Sequence, residues 1–384
     1  MVAAPTLGLP ERLGGPRNYD YRYAWIRDAS LSVSGLSLMG DTDTAKRYLE
    51  WLSKRSSRTE APLQVVYGVH GRTKLSERRW RGARGYRDSQ PVLLGNHAYK
   101  QCQVGSLGYV AECMWLALEH GIRWEREWTE LLVRMARYAC EAWDEPDSGI
   151  WELGRHQQFV ASKVMCWVVL DRAIKVAERC GGLDGREVAR WEAVAREVRE
   201  AVLSRGYLQR ASSFVQRYDH LSFDASSLLV PITGFLPADD PRVLSTLDRV
   251  DENLGFEDFV YRFVPEMSNG EEPLPVGQFE GAFIPCTLWM ATARAAAGQI
   301  DRAEAILERV EGAAGELGLL AEEIDPRGGE WLGNYPLLFS HVEHVRAIVA
   351  LERARHARRV TTPRRADAPS GRGEHSLRWA AAGR

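Results

Sequence analysis

Apolar residues in this chain recur at helical spacing in paired segments, and the two members of each pair differ. One is apolar around most of its circumference; the next carries a single narrow stripe. Residues 28–39 are largely small and apolar, whereas 42–54 gather Ala45, Tyr48, Leu49 and Leu52 on one side. The same contrast recurs between 101–118 and 124–140, between 163–177 and 186–203, and between 281–297 and 301–317. A helix apolar all round must be buried on all sides, and a striped helix keeps one face in water. Glycines at 40, 121, 181–182 and 298 turn each pair into an antiparallel hairpin. Buried and half-exposed helices alternating through five or six hairpins predict an all-α toroid of inner helices enclosed by outer ones. Residues 301–310 have the flavour of a tetratricopeptide solenoid, but no fixed 34-residue period recurs, and the toroid is preferred.

Composition sets the limits of that reading. At 384 residues, 45% hydrophobic and 27% charged, the chain is of globular type, and residues 1–356 are expected to form one architecture. Residues 357–384 carry seven arginines against Asp367 and Glu374, with Pro, Gly and Ala between, and are expected to be a disordered basic tail. The net charge of −2 argues against a nucleic-acid partner. No apolar run approaches 18 residues, so no membrane span is expected. The opening MVAAPTLGLPER has neither a basic nor an apolar leader region, so a secretory signal is not expected. The six cysteines show no ligand spacing and sit in apolar runs, which fits a reduced, cytoplasmic protein. Thirteen tryptophans suit either a large helical core or flat rings against sugar faces.

Chemistry concentrates in the long connections 56–95, 144–162, 207–224, 253–280 and 319–338, which are rich in Trp, Tyr, Gly, Glu and Arg. In a toroid they gather at one end of the inner ring. Three acid-bearing segments stand out. NYDYRYAWIRD (18–28) precedes a helix, and its Asp28 serves either as a helix cap or as a site residue. GIWELG (149–154) places a carboxyl beside Trp151 in a glycine-bounded loop, where desolvation raises its pKa and suits a general acid. AEEIDP (321–326), followed by GNYP (333–336), reads alone as a solvated acidic loop.

Together these segments resemble a known family. GGPRNYDYRYAWIRDASL (14–31), GYRDSQPVLLGN (85–96), GIWELG (149–154), SKVMCWVVLDRAI (162–174), TGFLPADDPRV (233–243), FEGAFIPCTLW (279–289) and EEIDPRGGEWLGNYP (322–336) are similar, in this order, to glycoside hydrolase family 15, the glucoamylases and a branch of trehalases. The resemblance spans about residues 8 to 350. It implies an (α/α)6 barrel. It makes Glu152 the general acid and Glu322 the general base, with Glu323 the neighbour competing for the second role. Arg27 and Asp28 match the pair that grips the terminal glucose, Tyr21, Trp25 and Trp151 match aromatics of that site, and Arg262 matches a sugar-binding arginine. The implied activity is inverting, exo-acting hydrolysis of α-glucosides, with starch ends and trehalose not separable. A protonated carboxyl serves the leaving oxygen, and a carboxylate roughly 6.5–9.5 Å away activates water. No metal or organic cofactor is implied. The alternative is a catalytically weakened or non-catalytic glucan-binding toroid.

Three features depart from the family pattern. The resemblance leads one to expect a β-sandwich domain before the barrel, but only about ten residues precede the first motif. A truncated reading frame, a fragment or a separate β-sandwich protein are the readings, and a β-sandwich partner or homo-oligomer is the expectation for the surface left exposed. Gly105 stands where relatives place an acid. Leu337, Glu343, His344 and Arg346 make the segment after Pro336 unusual.

Overall fold

The computed structural model describes residues 1–56, 61–265 and 275–361. Eleven α-helices dominate: α1 (Ile26–Leu38), α2 (Thr42–Ser53), α3 (Ser106–Glu119), α4 (Arg126–Ala142), α5 (Val160–Cys180), α6 (Gly185–Ala201), α7 (Leu229–Ile232), α8 (Pro241–Leu254), α9 (Ile284–Ala296), α10 (Ile300–Ala313) and α11 (Leu338–Thr361). The odd-numbered helices pack side by side in the order α1, α3, α5, α7, α9, α11, and α11 returns to α1 to close a ring. The even-numbered helices lie outside, each against the inner helix that precedes it or its neighbour. The two-ring reading therefore holds. Among the described residues the outer ring has five helices, because residues 1–23 contain no helix to fill a sixth position.

Local chemistry explains the hairpins. Asp41, Asp184 and Asp240 cap α2, α6 and α8 by accepting backbone N–H bonds from Thr44, Arg186 and Arg242, and Pro241 opens α8 where its missing donor costs nothing. On the inner ring two glycines set the spacing. A Cβ on Gly35 of α1 would stand 2.6 Å from the Cβ of Val342 in α11, and one on Gly108 of α3 would stand 2.4 Å from the Met165 carbonyl in α5. These contacts let the inner helices approach more closely than side chains would allow. Buried Val164, Val168, Ile284, Leu288, Trp289 and Val342 fill the ring on one side, and Val33, Val110, Met114 and Val169 on the other.

The periodicity found the hairpins better than their ends. Residues 101–105 are not helical, as α3 begins only at Ser106 after a short turn at His97–Lys100 capped by Asn96. The fourth inner element, α7, is one helical turn continuing a 3-10 turn at Ala225–Leu228, too short for any periodic signal. The tail expected from 357 falls partly on the described residues. Helix α11 continues to Thr361, its late turns tied down by Arg355, which pairs with Glu304 of α10 and Glu352. The rest of the expected tail, 362–384, lies outside the described residues, as do 57–60 and 266–274 of the long connections.

Two-residue strands run straight into the inner helices. Ala24–Trp25 pairs with Val66–Tyr67 and leads into α1; Ala282–Phe283 pairs with Glu323–Ile324 and leads into α9. Glu323–Ile324 also pairs with Trp331–Leu332. The long connections are thereby fixed at the N-terminal end of the inner ring.

Candidate active site

At that end lies a pocket of about 360 Å³. Tyr21, Trp25, Arg27, Asp28, Trp151, Glu152, Arg262 and Glu322, named separately from sequence, all line it. They come from four connections, so nothing but the ring's closure brings them together.

Glu152 stands on one wall with a left-handed backbone, φ 60°. Its Oε1 accepts from Trp25 Nε1 at 2.8 Å, and Arg27 Nη1 lies 3.4 Å away. Arg27 also donates to the Ile150 carbonyl at 2.8 Å, and Gln101 to the Glu152 carbonyl at 3.2 Å, so the 149–154 loop is held at both ends. Burial raises the pKa of Glu152; Arg27 opposes the shift and Asp28 adds to it. Asp28 does not cap α1, whose N-cap is Trp25, and instead pairs with the Arg27 guanidinium at 3.0 Å inside the pocket.

Glu322 occupies another wall and is 2% exposed. Tyr21 donates its hydroxyl to Oε1 at 2.6 Å, and the Asn334 backbone N–H donates to Oε2 at 3.0 Å. Burial and the negative charge of Glu11 push its pKa up to about 7, against the pull of Arg262 and the two hydrogen bonds. Gly333 makes the approach possible, since a Cβ there would stand 2.6 Å from Oε2. Glu323 is also fully buried, but it faces away from the pocket. Its Oε2 accepts from Gly281 N at 2.9 Å and its Oε1 lies 3.1 Å from Arg262. Alternation along the strand thus places one glutamate at the pocket and its neighbour behind the wall.

The two pocket carboxyls do not touch. Trp25 holds Glu152, Tyr21 holds Glu322, and the two rings lie side by side with centroids 5.5 Å apart.

Several supporting residues were invisible in the sequence. Asp224, buried, accepts from Trp151 Nε1 at 2.9 Å and caps the 3-10 turn at Ala225–Leu228, which fixes the indole against Phe263, Phe283 and Trp289. Asp147 anchors the 149–154 loop by accepting from Ser162 and from Val104 N. Arg262 lines the pocket while its Nε donates to Glu280 at 2.8 Å and its Nη2 to Glu11 at 3.0 Å. Glu11, Glu280 and Glu323 are the one carboxylate group among the described residues close enough to share a cation, and Arg262 pairs with all three. Nothing in their local sequence separates these acids from the other acidic residues.

The departures fall around the same pocket. Gly105 begins α3 pressed against α5, where a Cβ would meet the Ser162 Cα at 2.9 Å, so no acidic side chain fits without moving a helix. Leu337 lines the pocket beside Phe339. Glu343 lies deeper, fully buried, accepting from Trp289 at 3.1 Å and Arg346 at 3.1 Å. His344 turns outward to Glu311.

Comparison with known proteins bears on the family and the fold. Residues 1–349 match the family model described as glycosyl hydrolases family 15. The trehalase of Mycobacterium tuberculosis is 38% identical over 359 residues, covering 92% of this chain and 52% of the relative. The trehalase of Thermoplasma acidophilum is 34% identical, covering 92% and 59%. The chain thus spans about half the length of the curated relatives it matches. An isomaltose glucohydrolase of Kribbella flavida is 24% identical over 83% of this chain and 82% of its own. Among solved structures, a wild-type glycosidase superposes with a TM-score of 0.71 at 20% identity, covering 92% of this chain and 91% of that one. A glucoamylase from Saccharomycopsis fibuligera gives 0.66 at 14% identity, covering 88% and 87%. At such identities these two speak for the fold alone, and the fold is the (α/α)6 barrel.

Proposed function

The chain belongs to glycosyl hydrolase family 15, and from that membership we propose that it cleaves a terminal α-glucosidic bond with inversion, trehalose being the substrate. The observation that carries the reading is the pair Glu152 and Glu322, on separate walls of one pocket and each held by its own aromatic donor. The trehalases at 34–38% identity support the choice of substrate.

Each residue has a task. Arg27 and Asp28, fixed to one another, present a cation and a carboxylate to the hydroxyls of the terminal glucose. Tyr21, Trp25 and Trp151 enclose its faces. Glu152, protonated because burial raises its pKa, gives its proton to the glycosidic oxygen as the C1–O bond breaks. Glu322, ionised, takes a proton from water as that water attacks C1 from the opposite side. Arg262 supports the floor by holding Glu11 and Glu280 behind it. Aromatic side chains close the pocket inward, which suits one terminal sugar and an exo mode of action. Six free cysteines suit the reducing cytoplasm.

The test is incubation of the purified chain with trehalose, maltose and maltoheptaose, following product anomers by NMR. Inversion of trehalose gives α- and β-glucose in equal initial amounts; α-glucose alone would overturn it. Turnover of maltoheptaose in preference to trehalose would move the substrate to glucan ends. Glu152→Gln is expected to lower kcat by about 10²–10⁴ or more with an unchanged fold. Glucose binding without turnover of any substrate would leave the glucan-binding toroid in its place.

A further inference from the structure

Charge on this protein is segregated. The stretch 70–84 holds six basic residues, Arg72, Lys74, Arg78, Arg79, Arg81 and Arg84, against one acid, Glu77, on a chain whose net charge is −2. The rest of the chain therefore sums to −7 (−2 less +5), although 357–384 is a second basic stretch. All six cations are exposed. Arg84 pairs with Asp88 at 2.9 Å; the other five have no carboxylate partner among the described residues. They are mounted on a small hairpin, Arg78–Arg79 paired with Leu93–Leu94, whose two sides differ. Glu77 lines the sugar pocket, whereas Arg72, Lys74, Ser76 and Arg78 border, with Arg22 and Tyr23, a separate cleft of about 480 Å³ that no acidic side chain lines. Trp80, next along the hairpin, is 52% exposed and has no aromatic partner among the described residues.

Five cations without a carboxylate partner among the described residues, on the same segment as an exposed indole, fit an anionic surface. We propose that this hairpin docks the protein on an anionic lipid bilayer, the cleft receiving a headgroup phosphate and Trp80 entering the interfacial layer. Indoles settle at the headgroup level, with the polar edge wet and the ring in the acyl boundary. Basic clusters of this size bind anionic leaflets additively. A planar surface meets the hairpin alone, while a flexible polyanion long enough to bind tightly would run onto the acidic remainder of the molecule. Docking leaves the pocket on the other side of the hairpin, so the surface is independent of the sugar chemistry.

The experiment is co-sedimentation of the full chain with vesicles of phosphatidylcholine alone and with about 30% phosphatidylglycerol, at low and high salt. Binding is expected on the anionic vesicles only, released as added salt shortens the Debye length. The triple variant Arg78→Ser, Arg79→Ser, Arg81→Ser is expected to bind about 100-fold more weakly, on the additive contribution of each cation, with glucoside hydrolysis unchanged. Trp80→Ala is expected to weaken binding while its salt dependence persists. Equal pelleting with both vesicles, or an unaffected triple variant, overturns the proposal. So does tighter retention on duplex DNA than on anionic vesicles, which would make this a nucleic-acid surface.

Discussion

Glu152 takes a left-handed backbone conformation, φ 60°, that costs a residue with a side chain of order 1–3 kcal/mol. The surrounding hydrogen bonds from Trp25, Arg27 and Gln101 hold it and its loop there, which is how a strained position persists at the pocket wall. Both pocket carboxyls have raised pKa values, and the signs give a pH profile. Glu322 acts ionised, so activity is expected to fall as pH drops through about 7. In the proposed role Glu152 acts protonated, so activity falls as pH rises through its own raised value, and because burial raises Glu322 as well the two limbs overlap in a narrow window. The Tyr21 hydroxyl stabilises ionised Glu322. Tyr21→Phe is therefore expected to move the kcat/KM profile to higher pH and lower its maximum. A shift to lower pH would mean that Glu322 is not the group responsible.

At the scale of the element, the inner helices approach through glycine. Gly108→Ala would drive a methyl group into the Met165 carbonyl of α5, and since the obstacle is backbone, relief requires a helix to move. The expected cost is about 1–3 kcal/mol, read as a lower midpoint in urea unfolding. Gly312, on the outer helix α10, has nothing within 4 Å of a built Cβ, and Gly312→Ala is the control, expected to be neutral or mildly stabilising. Equal midpoints for the two variants would contradict the packing account. The same elements show what periodicity can read. Long striped helices such as α4 were found within two residues at each end, since burial demands a repeat of 3.6. The four-residue α7 carries no repeat, and α8, with its buried Val243, Leu247, Val250 and Leu254, lies in a stretch whose motif drew attention first.

The molecule as a whole is a closed ring, and the last inner helix completes it. Helix α11 packs against both α9 and α1, with Phe339 against Trp289 and Val342 against Gly35. Ending the chain after Leu337 is expected to abolish the cooperative thermal transition, by exposing the apolar flanks of α1 and α9 together. A truncated chain that still melts sharply would show that the ring does not depend on closure. Closure also explains the site, because Tyr21 and Glu322, 301 residues apart, meet at 2.6 Å only when α11 and α1 are neighbours.

Amphipathic periodicity alone determined the class of fold, because a helix buried on all sides and one buried on a stripe require different sequences. The motifs, through their family resemblance, picked out eight pocket residues among many of the same types. Tertiary structure decided the rest. Strand alternation turned Glu322 toward the pocket and Glu323 behind it, a one-residue distinction that two adjacent glutamates do not carry in their chemistry. Asp224 beneath Trp151, Asp147 beneath the acid's loop, and Glu11 and Glu280 around Arg262 were equally unreadable. A buried carboxylate is marked by its partners rather than by its neighbours in sequence, and those partners are assembled only when the ring closes.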